Sequence, residues 1–331
     1  MFKKSLRYQP VGQLAEIIEE FIRFKRSQGN KYVIEENTLC RFSIFSTNYN
    51  FSQKVIPKTM LTNWFKRRPN EKAFTQHGRC SSTHVFLRYV MDYGYKVDLP
   101  ELPRIAREQY IPYIFTGSEI KAFFKACDSF EDYPGSHRHE IIPVLFRLLY
   151  GCGLRASEAA ALKMDDVDLQ YGVVTIHEPK NGKDRYVPMS TSVAYAMKWF
   201  HYHVHPAELK GDSFFFRSKY SEQITRHCIY KWFRLCLQKA GIAHMGKGKG
   251  PRGHDLRHSF CVHSLRNLYM SGVDLYCVLP ILAAYVGHKS IAATQHYLRL
   301  TADMYPDICF RLKEKFGQII PEIEEVCDYE K

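Results

Sequence analysis

The spacing of hydrophobic residues predicts a helical N-terminal part of the chain. Between residues 9 and about 29, apolar side chains recur three and four positions apart, at Leu14, Ile17, Ile18, Phe21 and Ile22. This spacing is typical of an amphipathic helix that packs one face on a core. Similar patterns predict three more helices, over Ile34–Asn48, Lys58–Arg68 and Thr75–Tyr93. Turn-forming segments separate them, so the first 104 residues are predicted to form a small all-helical domain.

The periodic pattern stops around residues 99–113, where three prolines occur and no period is sustained. Such a segment is typical of a link between domains. The sequence therefore predicts an N-terminal domain over 1–104, a linker over 105–114, a second domain over 115–310 and a C-terminal tail over 311–331.

The second domain is predicted to be mainly helical with one short β-hairpin. Thr116, with Glu119 three residues later, has the pattern of a capping box at a helix N-terminus. Further helices are predicted over Glu140–Tyr150 and from Ala156 to about Lys163. Two β-rich runs, 171–176 and 185–189, flank an Asn-Gly turn, which predicts a hairpin. The expected fold class is mainly α with a small antiparallel sheet.

The net charge of the sequence indicates a polyanionic partner. The 331 residues include 47 Lys and Arg against 34 Asp and Glu, which gives a net charge of +13. Residues 1–104 alone carry +9, so the positive charge is concentrated in the N-terminal domain. Nucleic acid is the favoured partner. The basic residues predicted to contact DNA there lie among aromatic residues and are Lys66, Arg67, Arg68 and Arg79. The alternative is a solvated helix face over an ordinary core.

Other classes of protein are less consistent with the sequence. The longest uncharged apolar stretch, Leu275–Gly287, contains Pro280 and is too short to span a bilayer, so it is predicted to be a buried core segment. No apolar region of a secretory signal follows the N-terminus. The ten cysteines include no Cys-x-x-Cys pair, which argues against a zinc ribbon or a disulfide framework. We expect reduced cysteines, no membrane partner and a cytoplasmic location.

Three short segments carry candidate chemistry. In the segment 254–258, His254, Arg257 and His258 share one face of a predicted helix, where they would attract an anion or form a surface basic patch. Arg155 follows a glycine turn at the start of a helix, a position that favours anions but also suits simple capping. Tyr297 lies nine residues after His288. A single tyrosine of this kind is more often a core residue than a nucleophile.

Taken together, these segments resemble the tyrosine recombinase family, the phage-integrase-like site-specific DNA recombinases of phages and mobile elements. The resemblance covers about residues 115–310 and rests on the order and spacing of four blocks: 153–158, the hairpin with Lys180, 254–258, and 287–288 with Tyr297. It implies a catalytic domain over 115–310 and a helical, SAM-like core-binding domain before it. It also implies an enzyme that cuts and rejoins DNA through a 3′-phosphotyrosyl intermediate and requires no metal or nucleotide cofactor.

The resemblance also implies a role for each matching residue. Arg155 and Arg257 would bind the scissile phosphate, and guanidinium groups suit this because they are planar and permanently charged. His254 would assist proton transfer at the nucleophile and hydrogen-bond the phosphate, and His288 would support the same phosphate. Tyr297 would attack phosphorus.

Lys180 would protonate the departing 5′ oxygen, with Lys183 as the alternative because a hairpin can shift in register. Tyr305 is a weaker candidate for the nucleophile. The 34-residue interval from His254 to His288 is longer than is usual in the family by about two helical turns. The glycine-rich segment 245–250 is predicted to be a basic loop that touches the DNA backbone through Lys247 and Lys249.

The expected partners are a double-stranded DNA recombination site and further copies of the chain, as a tetramer on synapsed DNA. The tail after Tyr297 contains apolar residues that are expected to dock on a neighbouring protomer, with folding back on its own domain as the alternative. The need for accessory proteins stays open. The alternatives for function are a type IB topoisomerase-like DNA-relaxing enzyme and a catalytically silent DNA-binding protein. A metal site at the histidines 201, 203 and 205 is disfavoured because neither a carboxylate nor a cysteine completes it.

Overall fold

The computed structural model describes residues 8–51, 54–105, 111–132, 136–177, 184–206, 209–218, 222–246, 250–288, 290, 294–295 and 297. The chain divides into two compact units, 1–110 and 111–331. Lys180, Lys183, Lys247, Lys249, Tyr305 and the tail 311–331 lie outside the described residues.

The first unit is a small helical fold. Its elements are α1 (Ala15–Ser27), α2 (Val33–Ser46), β1 (Val55–Ile56), α3 (Lys58–Phe65), α4 (Ala73–Asp92) and β2 (Lys96–Val97). The two short strands pair in parallel. The apolar stripe predicted for α1 is buried, and its central Phe21 packs edge-on against Phe86 of α4. The sequence pattern therefore identified the core face of this unit.

Helix α3 is shorter than the sequence predicts. It ends at Phe65 rather than Arg68, and Lys66 already has an extended backbone. Pro69 disfavours a helical conformation of Arg68, the residue before it. The Trp64 indole N–H donates to the Thr83 hydroxyl at 2.9 Å, which ties α3 to α4.

The second unit combines seven helices with a three-stranded antiparallel sheet in its described part. The elements are α5 (Gly117–Asp128), α6 (Arg138–Gly151), α7 (Ala156–Ala161), β3 (Val167–Asp168), β4 (Val173–Ile176), β5 (Arg185–Pro188), α8 (Thr191–Val204), α9 (Arg226–Lys239), α10 (Asp255–Met270) and α11 (Leu275–Val286). The sheet order is β3-β4-β5, with Thr175 opposite Tyr186. The mainly α fold with a small antiparallel sheet is confirmed. The third strand, β3, was not predicted, because a strand of two residues is too short to show an alternating pattern of apolar and polar side chains.

Two packed clusters position the candidate site. The larger one joins α5, α6 and α9 through Phe123, Phe146 and Phe233. The capping box at the start of α5 is confirmed, since the Glu119 backbone N–H donates to the Thr116 hydroxyl and the Thr116 N–H donates to the Glu119 carboxylate. The smaller cluster packs α10 against α11 and encloses the ring of Tyr297.

Helix α11 corresponds to the apolar stretch that was predicted to be a buried core segment. Leu279, Leu282 and Val286 are buried against α10, but Tyr276 and Ile281 on other faces are exposed. The segment is thus a half-buried surface helix. Within the described residues, no helix is long and apolar enough to cross a membrane.

Candidate active site

Arg155 stands at the N-terminal end of α7, where its extended backbone caps the helix. The preceding turn requires a glycine, since Gly153 has a φ of +59° and a Cβ there would lie 2.6 Å from the Phe260 ring. The guanidinium of Arg155 donates to the Glu158 carboxylate at 2.6 Å and to the Gly287 carbonyl at 3.3 Å. The sequence thus correctly placed this arginine after a glycine turn.

The carboxylate of Glu158 is the acceptor at the centre of this region. It accepts the Arg155 backbone N–H at 2.9 Å and two N–H groups of Arg185 at 3.1 and 2.8 Å. Burial acts to raise the pKa of Glu158, but the hydrogen bonds from Arg185 and from the Arg155 backbone outweigh it and lower the pKa. Glu158 is therefore an ionised, buried carboxylate that orients two arginines.

Arg257 is the most deeply buried of the candidate phosphate ligands, with 1% of its surface exposed. Its guanidinium donates to the Gly153 carbonyl at 2.7 Å and to the Val286 carbonyl. Burial, and then the charge of Arg155, lower the pKa of Arg257 to about 10. The group therefore stays protonated at neutral pH. Because it is buried, the alternative of a surface basic patch does not describe it.

Three guanidinium groups converge on the C-terminal end of α11. Arg185 donates to the Tyr285 carbonyl, Arg257 to the Val286 carbonyl and Arg155 to the Gly287 carbonyl. Cations are favoured here because the last carbonyls of a helix have no partner within the helix. We call Arg155, Arg185 and Arg257 the arginine cluster. Glu158 pairs with Arg155 and Arg185, so the three guanidinium groups and this carboxylate together leave two positive charges in excess, which suits an anionic ligand.

His254 is the residue before the first turn of α10 rather than a residue within the helix. Its ring meets the His258 ring edge-on, with 4.6 Å between centroids. Burial, followed by the charges of Arg257 and Arg155, lowers the pKa of His254 to about 4. Because this imidazole is neutral, it does not repel Arg257 on the helix face that was predicted to carry like charges.

His288 follows α11 and lies beside Tyr297. Its Nδ1 is hydrogen-bonded to the Thr294 hydroxyl at 2.8 Å, and its ring is nearly parallel to that of Tyr297, with 5.8 Å between centroids. Burial and the charges of Arg257 and Arg155 lower the pKa of His288 to about 4. His288 is therefore neutral at pH 7.

Tyr297 is 3% exposed. Its hydroxyl is 2.9 Å from Nδ1 of His258. Burial and the neighbouring Cys261 raise the pKa of the Tyr297 phenol, whereas Arg257 lowers it to a smaller extent. The phenol is neutral at rest, with an imidazole in contact and the arginine cluster near enough to influence its pKa. The arrangement can present a nucleophile next to an anion-binding site.

The hairpin is attached to the site at its base. Arg185 is the first residue of β5 and contacts Glu158, while His177, just after β4, lies 3.0 Å from Asp184 and 3.1 Å from Asp166. The loop between these strands includes the candidate lysines 180 and 183 and is outside the described residues.

The basic residues of the first unit differ in their surroundings. Lys66 and Arg67 are exposed, and Arg68 stacks on the Trp64 ring at 4.7 Å. Arg79 is buried, pairs with Glu71 at 2.8 Å and also donates to the carbonyls of residues 64 and 66. The DNA contact by Arg79 stays a prediction, and in the structure its guanidinium is bonded inside the fold.

Sequence reasoning assigned no role to Glu158 or Arg185, and it gave His258 only a place on the predicted helix face that would attract an anion. Glu158 and His258 lie within the quoted motifs, and the recurrence of histidine four residues after His254 was a usable signal. Arg185 gave no such signal, because its contact depends on strand register. Among the described residues, no group of three or more His, Cys, Asp or Glu side chains is arranged to hold a metal ion.

Residues 114–304 match the phage integrase family. Over 314 residues the chain is 28% identical to a Sinorhizobium fredii protein named integrase/recombinase y4rB, with 91% of this chain and 97% of that protein covered. It is 24% identical over 306 residues to tyrosine recombinase XerA of Pyrococcus furiosus, with 91% and 93% covered. The fold is similar to that of the Tn1549 transposon integrase in complex with transposon right end DNA, with a TM-score of 0.63, 17% identity, and 89% of this chain and 99% of that chain covered.

Proposed function

Because the chain belongs to the phage integrase family, we propose that it is a site-specific DNA recombinase that cuts and rejoins DNA through a 3′-phosphotyrosyl intermediate. The observation that carries the proposal is the position of the Tyr297 phenol, which is hydrogen-bonded to His258 and lies within the electrostatic influence of Arg257 and Arg155. The names of the similar proteins, tyrosine recombinase and transposon integrase, support the same activity.

Arg155 and Arg257 are the proposed ligands of the scissile phosphate. A guanidinium has five N–H donors, and the hydrogen bonds to protein described above use only part of that capacity. Their position in a largely buried site strengthens their interaction with an anion relative to the same interaction in water. The extra negative charge of the pentacoordinate transition state would therefore be stabilised more than the ground-state phosphodiester.

The remaining roles follow from protonation state. A neutral His254 donates a hydrogen bond to a phosphate oxygen, and His288 holds the Tyr297 ring by stacking while it supports the same phosphate. Lys180, with Lys183 as the alternative, protonates the departing 5′ oxygen. The phosphotyrosyl bond conserves the phosphodiester energy until a 5′-hydroxyl of another strand attacks it.

We further propose that residues 1–104 form the DNA core-binding domain and that the chain acts as a homotetramer on synapsed DNA. The net charge of +9 on residues 1–104 supports the first point, since Lys and Arg neutralise phosphates in sequence-independent binding. Exposed Lys66 and Arg67 are the residues that best fit this role.

A library of nicked duplexes with random sequence tests the proposal, because cleavage next to a nick releases a short strand and traps the covalent complex. We expect an SDS-resistant adduct with the wild-type chain and none with Tyr297→Phe, while DNA binding by the variant is unchanged. An adduct that survives in Tyr297→Phe but not in Tyr305→Phe would transfer the nucleophile to Tyr305. Relaxation of supercoiled plasmids without the captured sequence would instead favour the topoisomerase-like activity.

A further inference from the structure

The hydroxyl of Tyr297 is held by an imidazole other than the one that the family resemblance assigns to proton transfer. The hydrogen bond of 2.9 Å joins it to Nδ1 of His258, one helical turn after His254. We propose that His258 accepts the phenolic proton of Tyr297 during DNA cleavage and returns it during rejoining. The inference rests on the proposed phosphotyrosyl chemistry and adds the residue that activates its nucleophile.

The proposed proton transfer requires the phenol to be the donor of this hydrogen bond. Tyr297 is protonated at neutral pH because burial and Cys261 raise its pKa. In the tautomer of His258 that carries its proton on Nε2, Nδ1 has a lone pair and accepts the phenolic O–H of Tyr297. The separation of 2.9 Å is within the range of a general base and the proton that it removes.

The other groups that surround the phenol are less suited to accept its proton. The Cys261 thiol also contacts Tyr297, but burial raises the pKa of the thiol to about 11, so its sulfur is already protonated. His288 stacks on the tyrosine ring face rather than at its hydroxyl, and its Nδ1 is hydrogen-bonded to Thr294. His254 packs edge-on against the His258 ring.

The negative charge of bound DNA favours proton transfer to His258. His254, just before α10, and His288, after α11, are neutral at pH 7, and Arg257 and Arg155 supply positive charge to both. The pentacoordinate phosphorus brings two negative charges, which stabilise the His258 imidazolium that forms when the attack occurs.

The step balances as a proton transfer coupled to phosphoryl transfer. In cleavage, the bond from Tyr297 Oη to phosphorus forms and the bond from phosphorus to O5′ breaks. The phenolic proton moves to His258 Nδ1, and the Lys180 ammonium gives a proton to O5′. In rejoining, the incoming 5′-hydroxyl gives its proton to the Lys180 amine, and the tyrosine oxygen recovers a proton from the His258 imidazolium.

His258→Asn is the test variant, because the asparagine Oδ1 replaces Nδ1 as a hydrogen-bond acceptor but does not take up a proton. The matched control is His263→Asn on the same helix, where Nδ1 of His263 is hydrogen-bonded to the Tyr150 hydroxyl at 2.8 Å. Single-turnover formation of the covalent complex, DNA affinity and thermal unfolding are measured with the duplex captured by the wild-type chain. We expect similar unfolding temperatures and DNA affinities for both variants, and cleavage about 100-fold slower in His258→Asn only.

A second measurement separates proton acceptance from positioning. A fluorinated tyrosine at position 297 ionises at lower pH and needs less help from a base. We expect it to restore cleavage by His258→Asn at least about tenfold, and to change the rate of His263→Asn as little as that of the wild type. Cleavage by His258→Asn within about threefold of wild type, or a slow variant that the fluorinated tyrosine does not restore, would overturn the inference. Absence of any covalent complex with the wild-type chain would instead refute the proposed function.

Discussion

Removal of the Arg185 side chain should destabilise the second unit through Glu158. In the folded chain, the Arg185 guanidinium gives two N–H groups to the Glu158 carboxylate and one to the Tyr285 carbonyl. Both side chains are at least nine-tenths buried. Arg185→Met keeps the apolar stem of the side chain and leaves the carboxylate with Arg155 as its nearest charged partner.

The magnitude follows from the cost of a buried charge that loses a partner. Breaking a buried ion pair typically costs about 3–5 kcal/mol, and the remaining bonds from Arg155 place the expectation near the lower limit, about 3 kcal/mol. In the double variant Arg185→Met with Glu158→Gln, residue 158 carries no charge, so no buried carboxylate has lost its partner. We expect it to be less destabilised than Arg185→Met alone, by about 1–2 kcal/mol.

Urea unfolding provides the assay, followed by the fluorescence of Trp199 and Trp232, which lie in the second unit, after Trp64→Phe in every variant. With a urea dependence of about 2 kcal/mol/M, a loss of 3 kcal/mol lowers the midpoint by about 1.5 M. Arg185→Lys, which keeps the charge but not the planar pair of donors, serves as the intermediate control. A loss below about 1 kcal/mol in Arg185→Met, or a double variant less stable than the single one, would refute the reasoning.

Three further predictions concern other parts of the chain. Gly153→Ala should lower thermal stability by about 1–3 kcal/mol, because its φ of +59° and the Phe260 ring 2.6 Å from a Cβ leave no room; unchanged melting would contradict this. The lowered pKa of Glu158 adds stability above about pH 4.3, and this stability is lost as the pH falls through the pKa of the folded state. The free energy of unfolding, measured between pH 6 and 3, should therefore show a decrease in the wild type that Glu158→Gln lacks. Arg79→Met should lower the melting temperature without changing the salt dependence of DNA binding, because Arg79 pairs with Glu71 inside the fold. Lys66→Gln should reduce the slope of DNA affinity against salt concentration by about one without affecting melting. The reverse pattern would identify Arg79 as a DNA contact.

Local patterns in the sequence predicted the elements well where one physical rule dominates. The apolar stripe of α1 and the Thr116 capping box depend on residues three or four positions apart, so the sequence alone contains them. The end of α3 at Phe65 was not predicted, although Pro69 restricts the backbone of Arg68, the residue before it.

Contacts between distant segments could not be read in the same way. Arg185 and Glu158 are 27 positions apart, and their pairing depends on how β5 packs beside α7. Arg79 was taken for a surface cation because composition says nothing about burial, and its pairing with Glu71 forms only when α4 packs on α3. The role of His258 required the position of Tyr297, 39 residues later in the chain.

The arginine cluster donates hydrogen bonds to main-chain carbonyls at the end of α11, and this affects which positions can vary in sequence. The oxygens of residues 285, 286 and 287 are present whatever side chains those residues carry. Replacements of Tyr285 or Val286 therefore alter packing but leave the acceptors of the guanidinium groups in place. Gly287 is the exception, because its φ is +70° and a Cβ would lie 3.0 Å from the Arg185 guanidinium. Among divergent relatives of this chain, we expect the three arginines and Gly287 to be retained together, while the side chains of α11 vary.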